Sequence, residues 1–160
     1  KEAQTNEVTP WHHDQPYYCV NGDQLVSTWV PLDHVPKATA MRFFAGSHQG
    51  PMYAPRRFQD HEPYEYEGFT EMPAINEKND AHRIRSWEMQ PGDVLIFHMR
   101  TLHAAGGSKA RRRAFAARWL GDDATYASRP GPTSPPFPGL DQELNEGDPM
   151  GHSLFPIVPG

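Results

Sequence analysis

No stretch of this 160-residue chain carries a long 3.6-residue apolar period, while 17 prolines and 13 glycines punctuate it. Proline removes a backbone donor and glycine favours turns, so the pattern points to short strands joined by loops. The expected class is all-β with minor helix, in a sandwich or barrel. The length suits one domain with a real core and is too short for two ordinary ones, so residues 1–160 are read as a single domain.

Residues 24–32 (Gln-Leu-Val-Ser-Thr-Trp-Val-Pro-Leu) are rich in strand formers and are closed by Pro31 and Asp33. One face of this strand carries Leu25, Ser27 and Trp29, the other Val26, Thr28 and Val30. Both faces are mostly apolar, which predicts a central strand covered on both sides. Further strands are expected over residues 40–44, 94–98 (buried) and 111–120. The last presents Arg112, Ala114, Ala116 and Arg118 on one face and Arg113, Phe115, Ala117 and Trp119 on the other. Residues 50–90 show no clear period yet hold many aromatics, and a loop of that length predicts a functional role such as a lid. Residues 129–160 are dense in proline and are expected to run extended over the surface.

The formal net charge of −5 gives no sign of general nucleic-acid binding. Cys19 is the single cysteine and cannot form an internal disulfide, which fits a reducing compartment. No apolar run approaches the length of a membrane span, and the first residues do not resemble a signal peptide. A cytoplasmic location is the expectation.

The chemistry concentrates in Trp11-His12-His13-Asp14-Gln15. On an extended strand, His12 and Asp14 point the same way and His13 points to the opposite face. Two imidazoles and one carboxylate on one face of an octahedron hold non-haem Fe(II) and leave the other face open. The second imidazole is His98 or His103, and His103 is better placed with respect to the arginines that follow. Arginine grips a carboxylate with two parallel hydrogen bonds, so Arg112 or Arg113 is a candidate anchor for a carboxylate co-substrate. The small neighbours Ala114 and Ala116 favour Arg112, although its alternative stays open.

These pieces occur in a recognisable order. Trp-His-His-Asp-Gln-Pro-Tyr-Tyr, Thr-Trp-Val-Pro-Leu-Asp, Phe-Phe-Ala-Gly-Ser-His, Pro-Gly-Asp-Val-Leu-Ile-Phe-His, Leu-His and Arg-Arg-Ala-Phe follow one another as in the phytanoyl-CoA dioxygenase family. The resemblance spans roughly residues 10–120. It implies a double-stranded β-helix, the cupin-like jelly roll. It also implies Fe(II) held by His12, Asp14 and His103, with Arg112 clamping the far carboxylate of 2-oxoglutarate and Trp29 bordering that co-substrate. The implied activity is an Fe(II)- and 2-oxoglutarate-dependent dioxygenase that uses O2, releases succinate and CO2, and hydroxylates a small organic substrate. Related halogenating enzymes replace the carboxylate ligand with a small residue, so Asp14 argues for hydroxylation.

The sequence departs from the family in three respects. The family usually has a polar residue such as Asn between the second histidine and the arginine, where this chain has residues 104–110 with Ser108 nearest in character. The spacing from His103 to the arginines is short, which leaves Arg112 versus Arg113 undecided. Only a short lead-in precedes the His-x-Asp motif where the family has helices and first barrel strands, so part of the N-terminal region is expected to be missing. Tyr17, Tyr18, Arg56 and Arg57, with the long loop, are the candidate substrate contacts. Two other classes remain: a cupin-like metalloenzyme that does not use 2-oxoglutarate, and a non-catalytic jelly-roll binding module.

Overall fold

The computed structural model describes residues 8–56, 69–129 and 131–158. The strands in chain order are β1 (Thr9–His12), β2 (Val20–Asn21), β3 (Leu25–Pro31), β4 (Arg42–Phe44), β5 (Ile84–Arg85), β6 (Leu95–His98), β7 (His103–Ala105), β8 (Ala114–Leu120) and β9 (Thr125–Tyr126). One short helix, α1 (Leu140–Glu143), follows them. The described chain is mostly β with little helix, as its turn-rich sequence requires.

Two main antiparallel sheets position the site. In the first, β3 lies between β6 and β8; in the second the order is β1-β7-β4-β5. The chain passes back and forth between them, which brings β1 and β7 of the second sheet towards the inner face of the first. In the first sheet Ser27 is opposite Arg118 and Phe97, and Trp29 is opposite Ala116 and Leu95. Because side chains alternate along a strand, Ala114, Ala116 and Arg118 of β8 lie on the same side as Ser27 and Trp29; Ala114 and Ala116 are exposed there and Arg118 is half-buried.

The opposite face departs from expectation. Val26, Thr28 and Val30 are only half-buried, and their neighbours Ile96 and Phe115 are 67% and 59% exposed. Neither β3 nor β6 is therefore covered on both sides among the described residues. The apolar character of both faces suggested burial, but the packing partners of a face cannot be read from the strand itself.

The larger core cluster gathers Cys19, Val20, Leu25, Met99, Ala124, Tyr126, Leu140 and Met150. The proline-rich C-terminal segment was expected to lie extended on the surface, yet it supplies Leu140, 3% exposed, and Met150 to this core. Phe137 and Phe155 close over it edge to face with ring centroids 5.2 Å apart. Hydrophobic burial of these side chains outweighs the extended preference of the prolines. A smaller cluster of Val35, Ala40 and Met89 packs beneath Trp29 and Leu95. At the β2 turn Gly22 has φ of +145°, and a Cβ there would sit 3.2 Å from the Ala124 backbone, so the Asn-Gly turn needs its glycine.

The long loop is tied in at several points. Ala54 N–H donates to the Thr70 carbonyl at 2.9 Å and Thr70 N–H to the Met52 carbonyl at 3.0 Å. β5 joins the edge of the second sheet through Arg85 opposite Phe43. Residues 57–68, the middle of the expected lid, lie outside the described residues.

Candidate metal centre

β1 delivers His12 directly opposite His103 of β7, which in turn lies opposite Phe43 of β4. The two imidazole rings approach to 4.2 Å between centroids. Asp14 reaches the same point by a different route from the expected one. The strand ends at His12, and Asp14 adopts an α conformation (φ −71°, ψ −40°) at the start of a 3-10 turn over Gln15–Tyr17. Its N–H is fixed by the Met99 carbonyl at 2.8 Å. The shared direction of His12 and Asp14 thus comes from a strand running into a turn, not from a continuous strand.

The geometry is convergent. Asp14 Oδ1 lies 3.8 Å from His12 Nε2 and 3.7 Å from His103 Nε2. His12, Asp14 and His103 each offer one ligand atom within 4.8 Å of the others, and all three are buried. Each imidazole is oriented through its other nitrogen. His12 Nδ1 lies 2.9 Å from the Pro10 carbonyl, and His103 Nδ1 lies 2.9 Å from the Thr101 carbonyl. A carbonyl only accepts, so Nδ1 carries the proton and the Nε2 lone pair faces the cluster. Phe97, with its ring centroid 5.0 Å from His103, and Phe43, stacked at 5.8 Å, wall in the second imidazole.

Electrostatics keep both imidazoles neutral. Burial, together with the facing His103, lowers the His12 pKa to about 3. Burial likewise lowers His103. Burial pushes the Asp14 carboxyl up, but His103, Arg118, the Ser27 hydrogen bond and His12 together outweigh it and hold it below its ordinary range. Neutral imidazoles beside an ionised carboxylate are the protonation states a divalent metal requires. The donor set, two nitrogens and one hard oxygen, fits Fe(II) with open positions.

The other imidazoles are turned elsewhere. His13 is fully buried and its Nε2 accepts the Tyr53 N–H at 3.1 Å. His98 Nε2 lies 2.8 Å from the Asp23 carbonyl, and its Nδ1 accepts the Arg100 N–H at 3.0 Å. The arginines separate in the same way. Arg112 is buried, donates to the Thr39 carbonyl at 2.6 Å, and sets its guanidinium 6.0 Å from the Trp29 ring. Burial lowers its pKa. Arg113 faces outward and grips Asp33 through Nε at 3.0 Å and Nη2 at 2.7 Å.

Among the candidate substrate contacts, Tyr17 stands edge-on to His12 with centroids 6.0 Å apart. Its hydroxyl donates to the Arg56 carbonyl at 2.8 Å and accepts the Arg56 N–H at 2.7 Å. Tyr18 lies beneath the Arg118 guanidinium at 5.1 Å. Arg57 falls outside the described residues. Two residues that sequence reasoning did not assign complete the surroundings of Asp14: Ser27 donates to Oδ2 at 2.6 Å and Arg118 Nη2 lies 2.9 Å from it. Strand alternation already put Arg118 on the Arg112 face; the signal that was missing is the register opposite Ser27.

Comparison with known proteins is consistent with this centre. Functionally curated sequences yield no significant match. Among solved structures, the non-heme alpha ketoglutarate dependent carbocyclase SnoK from nogalamycin biosynthesis is similar, with 25% identity and a TM-score of 0.66. That match covers 99% of this chain and 58% of SnoK. The epimerase SnoN, solved with Fe3+, alpha ketoglutarate and nogalamycin RO, matches at 26% identity and a TM-score of 0.64 over 96% of this chain and 58% of SnoN. EvdO2 from Micromonospora carbonacea var. aurantiaca, complexed with 2-oxoglutarate, shares the fold at 19% identity and a TM-score of 0.58, covering 82% of this chain and 52% of that protein. The chain therefore spans just over half the length of these solved relatives. The profile of the phytanoyl-CoA dioxygenase (PhyH) family matches residues 1–114, and by that match the chain belongs to this family.

Proposed function

We propose that this chain carries the active centre of an Fe(II)- and 2-oxoglutarate-dependent dioxygenase that hydroxylates a small organic molecule and releases succinate and CO2. The observation that carries the reading is the meeting of His12 Nε2, His103 Nε2 and Asp14 Oδ1 in one buried cluster. Family membership and the likeness to SnoK and SnoN support it. The alternation of strands between the β6-β3-β8 and β1-β7-β4-β5 sheets supports the finer fold assignment, a double-stranded β-helix.

In this reading His12, Asp14 and His103 hold the iron, and their Nδ1 anchors fix which nitrogens face it. Iron bound there supplies oxidation of a substrate C–H bond by O2, coupled to decarboxylation of 2-oxoglutarate. Arg112 receives the far carboxylate of 2-oxoglutarate, since it is buried on the inner face while Arg113 is engaged outside by Asp33. Ala114 and Ala116 leave room along that face, and Trp29 forms its side wall opposite Ala116. Tyr17, Tyr18, Arg56 and Arg57 border the substrate; Tyr17 ties the start of the long loop to the residues around His12. Phe43 and Phe97 keep water from one side of His103. A cytoplasmic setting belongs to the same reading, supported by the lone, buried Cys19. No helix among the described residues is long and apolar enough to cross a membrane.

The test is iron-dependent release of succinate from 2-oxoglutarate by the purified full-length protein, with and without candidate substrates. Succinate release that needs Fe(II) and is lost in His103→Ala supports the reading. Metal binding without any 2-oxoglutarate turnover would instead indicate a cupin-like enzyme of another class, and absence of both would indicate a binding module.

A further inference from the structure

The two oxygens of Asp14 have different surroundings. Oδ1 is the atom that faces His12 Nε2 at 3.8 Å and His103 Nε2 at 3.7 Å. Oδ2 faces the first sheet, where Ser27 Oγ donates to it at 2.6 Å and Arg118 Nη2 lies 2.9 Å away. Ser27 and Arg118 are cross-strand partners in the β3–β8 ladder, so both donors are held by the same pair of hydrogen-bonded strands. The backbone of Asp14 is held independently, by the Met99 carbonyl. With its backbone and one oxygen fixed, the carboxylate has little freedom to rotate about its last torsion.

From this asymmetry we propose that Ser27 and Arg118 are positioning residues that engage Oδ2 of Asp14 so that the carboxylate meets a divalent metal through Oδ1 alone. The inference rests on the metal-centre reading given above. Its chemical consequence concerns the open face. A carboxylate free to rotate can present both oxygens and occupy two coordination positions; one held by Ser27 and Arg118 occupies one, leaving three positions for other ligands. The cation also offsets the cost of burying an ionised carboxylate, for which a single hydroxyl donor is insufficient. Arginine suits the position better than lysine. Its flat guanidinium meets Asp14 at one edge while lying over the Tyr18 ring at 5.1 Å, and a compact ammonium cannot make both contacts with the same planar group. Ser27 is fully buried, which leaves its hydroxyl no solvent to compete for.

The experiment uses Co(II) as the probe on the full-length protein, with its d–d absorption spectrum and its affinity from chelator competition as the two readouts. Wild type, Arg118→Gln, Arg118→Lys, Ser27→Ala and His103→Ala are compared, with circular dichroism to establish folding. The expected result is a loss of Co(II) affinity of about 10- to 100-fold in Arg118→Gln, the range for residues that orient metal ligands. A changed d–d band at saturating Co(II) should accompany it, with partial recovery of both in Arg118→Lys. A purely structural ion pair would alter stability without altering the spectrum of the saturated site. Should Arg118→Gln fail to fold, Ser27→Ala removes the other hold on the same oxygen and carries the same expectation. Unchanged affinity and spectrum in folded Arg118→Gln, or in Ser27→Ala where that variant stands in for it, overturn the proposal while wild-type binding and its loss in His103→Ala leave the metal centre standing. A wild type that binds no Co(II), or that binds it equally well as His103→Ala, overturns the metal-centre reading and this inference together.

Discussion

His12 and His103 face one another across the β1–β7 ladder with ring centroids 4.2 Å apart, and each turns its Nδ1 to the backbone carbonyl two residues earlier. The repeated local arrangement fixes two tautomers without a second side chain, because a carbonyl only accepts and so keeps the proton on Nδ1. Nothing comparable aims His98 inward: both of its nitrogens are engaged near the Asp23 turn. His12→Ala and His103→Ala should therefore each abolish metal-dependent 2-oxoglutarate turnover. His98→Ala should retain it, with metal content after reconstitution as the measurement. Loss of metal in His98→Ala alone would contradict the assignment.

Asp33 gives a pH dependence with a definite sign. The Arg113 side chain, then the Arg113 N–H, donate to its carboxylate and hold it well below the usual carboxylate range in the folded chain. A depressed folded pKa means the unfolded chain binds the proton more readily. The contribution is then fully present above the ordinary aspartate pKa of about 4 and is lost as pH falls below it. Both groups lie at the surface, so the effect is small and screened by salt. The melting temperature of wild type should exceed that of Asp33→Asn at about pH 6, with the gap narrowing at about pH 3. A gap that widens on acidification would reverse the argument.

Much of the centre was legible because local spacing determines direction. His12 and Asp14, one residue apart, share a direction, and His13 is sent the other way. The reason proved partly different, since Asp14 stands in a turn beyond the strand. His103 joins His12 and Asp14 in one cluster, as the ordered motifs implied. Ser27 and Arg118 were not, because their meeting depends on how β3 and β8 align, and register is a property of two segments rather than one. The C-terminal segment failed for a related reason. Its prolines announce an extended chain, but Leu140 and Met150 join a core cluster that includes Cys19, Val20 and Leu25, more than a hundred residues earlier in the sequence.

Leu140 allows that packing to be measured. It is buried against the cluster that holds Cys19, Val20, Leu25 and Met99, and Met99 in turn supplies the carbonyl that fixes the Asp14 backbone. Leu140→Ala should cost about 2–5 kcal/mol of unfolding free energy, the range for truncating a buried leucine. Urea denaturation of the two proteins measures it. A change within a few tenths of a kcal/mol would mean that the C-terminal segment is not part of the cooperative core.

Arg112 and Arg113 are adjacent in sequence but point to opposite faces of β8's leading end, and this makes a sharp functional contrast. Arg112 is buried, sits 6.0 Å from the Trp29 ring and donates to the Thr39 carbonyl. Arg113 is fully committed to Asp33 on the outside. A charge-assisted hydrogen bond contributes about 1.5–3 kcal/mol, equivalent to roughly 10- to 100-fold in binding. Arg112→Ala should raise the KM for 2-oxoglutarate by about that factor, while metal affinity stays near wild type because no ligand atom is touched. Arg113→Ala should leave the KM unchanged and reproduce the modest stability loss of Asp33→Asn. Steady-state succinate assays across 2-oxoglutarate concentrations distinguish the two. An elevated KM in Arg113→Ala with a normal one in Arg112→Ala would move the carboxylate clamp to the other face of the strand.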